Sequence, residues 1–214
     1  MDELLSRRKH RKQRGFTLLE TLIAISILSV GLLAMAALMS KTTASASNSR
    51  YLSTQSLLAS EKLDDLTGRS SSDPDIAVPT GASSGSLTTD ASQTVTDSSG
   101  GTTPVDYFDQ VDISNGNGAV TEILTTSNAA GQVVYETVTH NPDGTIAETN
   151  STTPPTTPVG TADTLGFHRR WVIEKDTPIV GVKRITVQVT VLTQTPVPAF
   201  QMSTIRPCMN GPCQ

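Results

Sequence analysis

Aromatic residues are scarce. The chain of 214 residues holds one Trp, three Tyr and four Phe, and hydrophobic residues overall reach 36%, low for a globular enzyme. With three His and two Cys there is little material for a metal centre, and no metal or cofactor is expected. Lys and Arg are absent from 70 to 168, a stretch with 12 Asp and Glu. A nucleic-acid partner is not expected, because phosphate neutralisation needs a basic surface. No Ser/His/Asp set has motif-like spacing, and no Gly-rich stretch is followed by the Lys and helix of a phosphate loop. No catalytic residue is therefore named, and an enzyme is the least favoured class.

What is present is unevenly placed. Six of the 16 Lys and Arg lie between residues 7 and 14, directly before an apolar block. That block, 16–39, is 24 residues long and carries one charge, Glu20. At about 1.5 Å per residue it can cross a bilayer core. Residues 40–68 continue without Pro or Gly until Gly68, a helix stop, and Tyr51, Leu52, Ala59, Leu63 and Leu66 fall near one helical face. The two parts predict one helix of about 50 residues whose second half packs on a soluble domain.

Residues 69–104 are low in complexity: 23 of the 36 are Ser, Thr, Gly or Pro. Such a stretch buries too little apolar area to offset its ordering entropy, and it reads as a long loop. Residues 105–214 read as β-rich. Strands are expected at 105–113, 119–126, 132–140, 145–149, 167–175 and 182–192, with a hairpin turn at Asn141-Pro142-Asp143-Gly144. In the last of these, Ile185, Val187, Val189 and Val191 alternate with Arg184, Thr186, Gln188 and Thr190, so one face is buried and one is wet. The remaining 193–214 form a tail with four Pro and both Cys.

The residues with the most specific meaning are Arg14-Gly15-Phe16-Thr17-Leu18-Leu19-Glu20. A basic leader, a Gly, a Phe and a Glu four residues on, opening an apolar helix, resemble the type IV prepilin signal. Residues 27–36 and 56–66 resemble the anchor helix and helix end of minor pilins of the pilus-modification type. Residues 170–173 and 183–189 resemble that family's last hairpin. The resemblance implies an α+β fold in which a long N-terminal α-helix packs on a small antiparallel β-sheet. It also implies a leader, 1–15, cut by a prepilin peptidase after Gly15 on the cytoplasmic side, and N-methylation of the new terminus, Phe16. Residues 16–39 then anchor the chain in inner-membrane lipid, with 40–68 as the amphipathic half of the helix. The mature chain has 199 residues and a net charge of −8. Glu20 is implied in subunit assembly, pairing with the Phe16-equivalent amine of a neighbour. Partners are other major and minor pilins. Positive-inside bias places the C-terminal domain outside the cytoplasm.

Rival readings remain. An ordinary secretory signal would use Ala34-Met35-Ala36 as a cleavage site, and a plain membrane anchor would need no cleavage. Neither has a use for Glu20, which costs about 2–3 kcal/mol or more deep in a bilayer. Within the resembled superfamily the options are a minor pilin or an I-type pseudopilin of a type II secretion system; a rival of a different class is a fibre-tip adhesin or binding module whose Thr/Ser-rich surface contacts a ligand. The absence of Pro from the anchor disfavours a major pilin, and the size of the mature chain disfavours the pseudopilin.

Cys208 and Cys213 enclose Met209-Asn210-Gly211-Pro212, which can turn tightly enough for a disulfide in an exported domain; the alternative is two free thiols. Many pilins close a C-terminal loop in this way. His140 reads as a surface residue beside a turn, and His168 as part of a solvated strand face or, less readily, a ligand patch. Trp171 reads as an anchor between helix and sheet. Asp106, Asp109 and Asp112 invite a calcium site, but a spacing of three scatters strand carboxylates over both faces.

Overall fold

The structure, a computed structural model, describes residues 16–70, 73–96, 101–114, 116–128, 130, 132–154, 164–192, 197–208 and 213. The chain divides into two compact units at residue 47. The first contains the start of helix α1 (Leu18–Gly68), which is 51 residues long. Thr17 begins it: the Glu20 backbone N–H donates to the Thr17 carbonyl at 3.0 Å and to its Oγ1 at 3.3 Å. Thr17-x-x-Glu20 is the spacing of a capping box. Every residue from 16 to 50 is exposed, and the apolar stretch is long enough to cross a membrane. Its hydroxyls need no water. Thr21, Ser26 and Ser29 donate to the carbonyls of Leu18, Leu22 and Ser26 at 2.8–2.9 Å, which suits a segment surrounded by lipid.

The second unit is α+β. Gln55, Leu58, Ala59, Lys62, Leu63 and Leu66 form the buried face of α1, at intervals of three and four. Leu52 and Leu57 point outward instead. This stripe packs on a sheet of eight strands, larger than the small sheet expected. The strands, all antiparallel where paired, are β1 (Ser83–Gly85), β4 (Phe108–Ser114), β5 (Val120–Ser127), β6 (Val133–His140), β7 (Ile146–Ser151), β8 (Thr164–Lys175), β9 (Val182–Leu192) and β10 (Phe200–Pro207). Their order is β10-β9-β8-β4-β5-β6-β7, with β1 added at the far end of β8. A separate ribbon pairs β2 (Ser92–Thr96) with β3 (Thr102–Asp106). The core joins Leu58, Leu63 and Leu66 to Phe167, Trp171, Ile173, Ile185, Val187 and Val189.

Three departures from the expected strands have physical reasons. Residues 69–104 are not a loop throughout: a single 3-10 turn (Pro74–Ile76), β1 and β2 lie inside them. Three of the few apolar residues of this Ser-rich stretch, Ile76, Val78 and Val95, are buried. The strand expected at 105–113 is broken at Tyr107, whose ring is fully buried. Its N–H bonds to the Ala91 carbonyl at 2.9 Å and its carbonyl accepts from the Trp171 N–H at 3.0 Å. That crossing requires Gly85: its φ is +84°, and a Cβ there would collide with the Trp171 carbonyl oxygen and the Tyr107 ring. The tail contains β10, whose Phe200 and Met202 alternate with polar residues and pack against the core.

Candidate assembly site and the buried charge cluster

Phe16 and Glu20 sit at the start of α1, and both are exposed. Gly15 and the rest of the leader lie outside the described residues. Four residues of helix advance about 6 Å, so Phe16 N and the Glu20 carboxylate are roughly one turn apart. While the leader is attached, Phe16 N is a peptide nitrogen and carries no charge. Cutting after Gly15 would create an ammonium there. The Glu20 carboxylate also lies where the helix exposes its N-terminal N–H groups, a favourable place for a negative charge.

The second unit contains a buried network of charges. Asp109 and Arg169 stand directly opposite each other on β4 and β8. Arg169 donates to both Asp109 oxygens, from Nε at 2.6 Å and Nη2 at 2.8 Å. Lys62, from α1, reaches the same carboxylate at 3.1 Å, and Glu122 on β5 accepts from Arg169 at 3.2 Å. The Lys62 ammonium also sits 4.3 Å above the centre of the Trp171 ring. Burial alone would push the Asp109 carboxyl up, but Lys62 and Arg169 outweigh it and hold the group below its ordinary range. Arg169 moves upward: burial opposes its charge, while Asp109, Glu122 and Glu61 more than offset that. The network clamps the amphipathic half of α1 to the middle of the sheet.

Nearby, Arg69 at the end of α1 pairs with Asp75 and, at 3.2 Å, with Asp65. Burial raises the Asp75 carboxyl, with Arg69 opposing.

The other residues singled out in the sequence are dispersed. Asp109 and Asp112 fall on opposite faces of β4; Asp112 accepts from Gln110 at 3.0 Å on the face away from α1. His168 is more covered than a solvated strand face implies, with 13% of its side chain exposed. It stacks on Phe108, its ring centroid 5.9 Å away, and its Nε2 is 3.4 Å from Asp90. Burial lowers its pKa, with Asp90 opposing. His140 is exposed at the end of β6. Trp171 is core, 4% exposed. Cys208 and Cys213 are joined by a disulfide, with Cα atoms 5.4 Å apart, and the Cys208 N–H donates to the Gly181 carbonyl at 2.9 Å.

Sequence reasoning missed the charge cluster. Lys62, Asp109, Glu122 and Arg169 are far apart in the chain and share no local spacing. It also passed over Thr17 as a helix cap, although a Thr three residues before a Glu at the head of an apolar run is a capping signal.

Residues 10–36 match the model of the prokaryotic N-terminal methylation motif. The match assigns a prepilin-like signal to the N-terminus and indicates a type IV pilin-like or pseudopilin-like protein; the helix behind it is long and apolar enough to cross a membrane. No curated protein and no solved structure matches the chain.

Proposed function

We infer that this chain is a minor pilin, a structural and non-catalytic subunit that takes part in assembly or modification of a type IV pilus. The observation that carries the reading is the run Gly15, Phe16 and Glu20 at the head of a helix able to span a membrane. A prepilin peptidase removes 1–15, Phe16 is N-methylated, and the chain rests in the inner membrane with its C-terminal domain outside the cytoplasm. The basic leader before the span supports that orientation. The subunit then joins other major and minor pilins through the apolar half of α1. Glu20 meets the first-residue amine of a neighbour, where each charge lowers the other's desolvation cost.

The test is mechanical shearing of fibres from cells, followed by detection of this subunit. Recovery in the fibre fraction, with pili reduced when the chain is deleted, is the expected result. Normal pili on deletion, with secretion lost instead, would favour the I-type pseudopilin. Normal pili with adhesion lost would favour a tip adhesin.

A further inference from the structure

Helix α1 is continuous from Leu18 to Gly68, but its three parts are held by different means. Up to Met39 it is apolar and long enough to lie in lipid, where a broken backbone hydrogen bond finds no water to replace it. From Gln55 onward it is fixed to the sheet. Gln55 is buried and its Nε2 donates to the Val189 carbonyl at 3.1 Å, and Lys62 reaches Asp109 at 3.1 Å. Residues 40–50 have neither support. All of them are exposed, and the division between the two compact units falls among them, at residue 47.

The composition of this middle part is poor for a helix. Of its 11 residues six are Ser or Thr and one is Asn, and none is apolar except Ala44 and Ala46. Ser, Thr and Asn all rank well below Ala as helix formers. Charge gives no compensation: there is no Asp or Glu from 21 to 60, so Lys41 and Arg50 have no acidic neighbour one helical turn away. A helix that is polar on every side needs such pairs to be stable without packing. The hydroxyls also compete with the backbone. Thr42 and Thr43 both donate to the Met39 carbonyl, each at 2.9 Å. In a regular α-helix that carbonyl also receives the Thr43 N–H. When the N–H lets go, the carbonyl keeps two donors, so opening there costs less than it would beside apolar side chains.

We propose that residues 40–50 are a joint in α1: the helix opens and recloses there, while the apolar part before it and the packed part after it stay helical. Each unit then remains folded as the link between them opens. The test is hydrogen exchange on the full-length protein in phosphatidylcholine nanodiscs, read by mass spectrometry. Amides of 42–50 should exchange at least about tenfold faster than those of 25–36 and those of 57–66. A stiffened variant carries Thr42→Ala, Thr43→Ala, Ser45→Ala, Ser47→Ala and Ser49→Ala. All five positions are exposed, so the packing of α1 on the sheet is left alone. Their summed gain in helix propensity should slow exchange of 42–50 by about 10- to 60-fold. Exchange of 57–66 should stay within about twofold of wild type. Equal protection along the whole helix would overturn the joint, and so would exchange of 42–50 that does not respond to the alanine set. Opening of 57–66 together with 42–50 would also overturn it, because the helix would then be leaving the sheet as one piece. The experiment needs no fibre, so its outcome stands apart from the assembly reading.

Discussion

Replacing Asp109 with Ala should loosen the clamp between helix and sheet. In the wild type its carboxylate holds two cations, Arg169 at 2.6 and 2.8 Å and Lys62 at 3.1 Å, with both Asp109 and Arg169 almost wholly buried. Removing one partner of a buried pair costs about 3–5 kcal/mol. Here the stranded charges keep weaker partners: Arg169 retains Glu122 at 3.2 Å, and Lys62 retains Asp65 at 3.6 Å. The lower end, about 3 kcal/mol, is therefore expected. At about 2–4 °C per kcal/mol for a domain of this size, Tm should fall by roughly 6–12 °C. Trp171, the single Trp of the chain, lies under Lys62 and reports the site directly. Thermal unfolding of the full-length protein in detergent, followed by its fluorescence, is the assay. The pH dependence supplies a second check. Asp109 has a lowered folded pKa, so its contribution is complete above its unfolded value near 3.9 and is lost as pH falls through the folded value. Asp109→Asn should flatten that acid limb. A Tm within about 2 °C of wild type for Asp109→Ala, or an unchanged acid limb for Asp109→Asn, would refute the reasoning.

Three further outcomes are expected. Gly85→Ala should destabilise by about 2–4 kcal/mol, since a Cβ meets both a positive φ and the Trp171 carbonyl; a shift under about 1 kcal/mol in a denaturant titration would contradict this. Cys208→Ser with Cys213→Ser should cost about 2 kcal/mol, as expected for so short a loop, with the loss read as a lower Tm; no change would mean that the bridge adds nothing to the fold. Glu20→Ala and Glu20→Gln should both be processed yet depleted from sheared fibres. Gln can still serve the capping box with Thr17, so normal recovery of Glu20→Gln alongside depletion of Glu20→Ala would reassign Glu20 to helix capping.

Much of the architecture was legible because its signals are local. The apolar run before Met39, the Gly68 stop and the alternation of Ile185, Val187 and Val189 each follow from the period of one element, and the helix and β9 appear where expected. The amphipathic face was harder to place. Leu52 and Leu57 are as apolar as Leu58, and only the position of the sheet makes Leu58 the buried one. Residues 69–104 were hidden by composition, since a strand of Ser and Thr such as β2 needs only a Val95 at the right place to be held, and the turn before it only Ile76. The clamp was not legible at all. Asp109 and Arg169 become neighbours through the register of β4 on β8, and Lys62 through the packing of α1 on both. The sequence's three Asp at intervals of three drew attention to a metal, while the structure gives Asp109 to two cations.

Whether this is a processed pilin-like subunit is decided by its mature N-terminus. Membranes from cells with a prepilin peptidase are the source, and the purified chain is read by intact mass and N-terminal fragmentation. The expected chain has lost residues 1–15, begins at Phe16 and carries one added methyl on its amine. Gly15→Glu should abolish the cut, because a charged side chain replaces a hydrogen at the scissile position. A terminus at Ala37, or a chain retaining Met1, would contradict the account, and so would normal processing of Gly15→Glu.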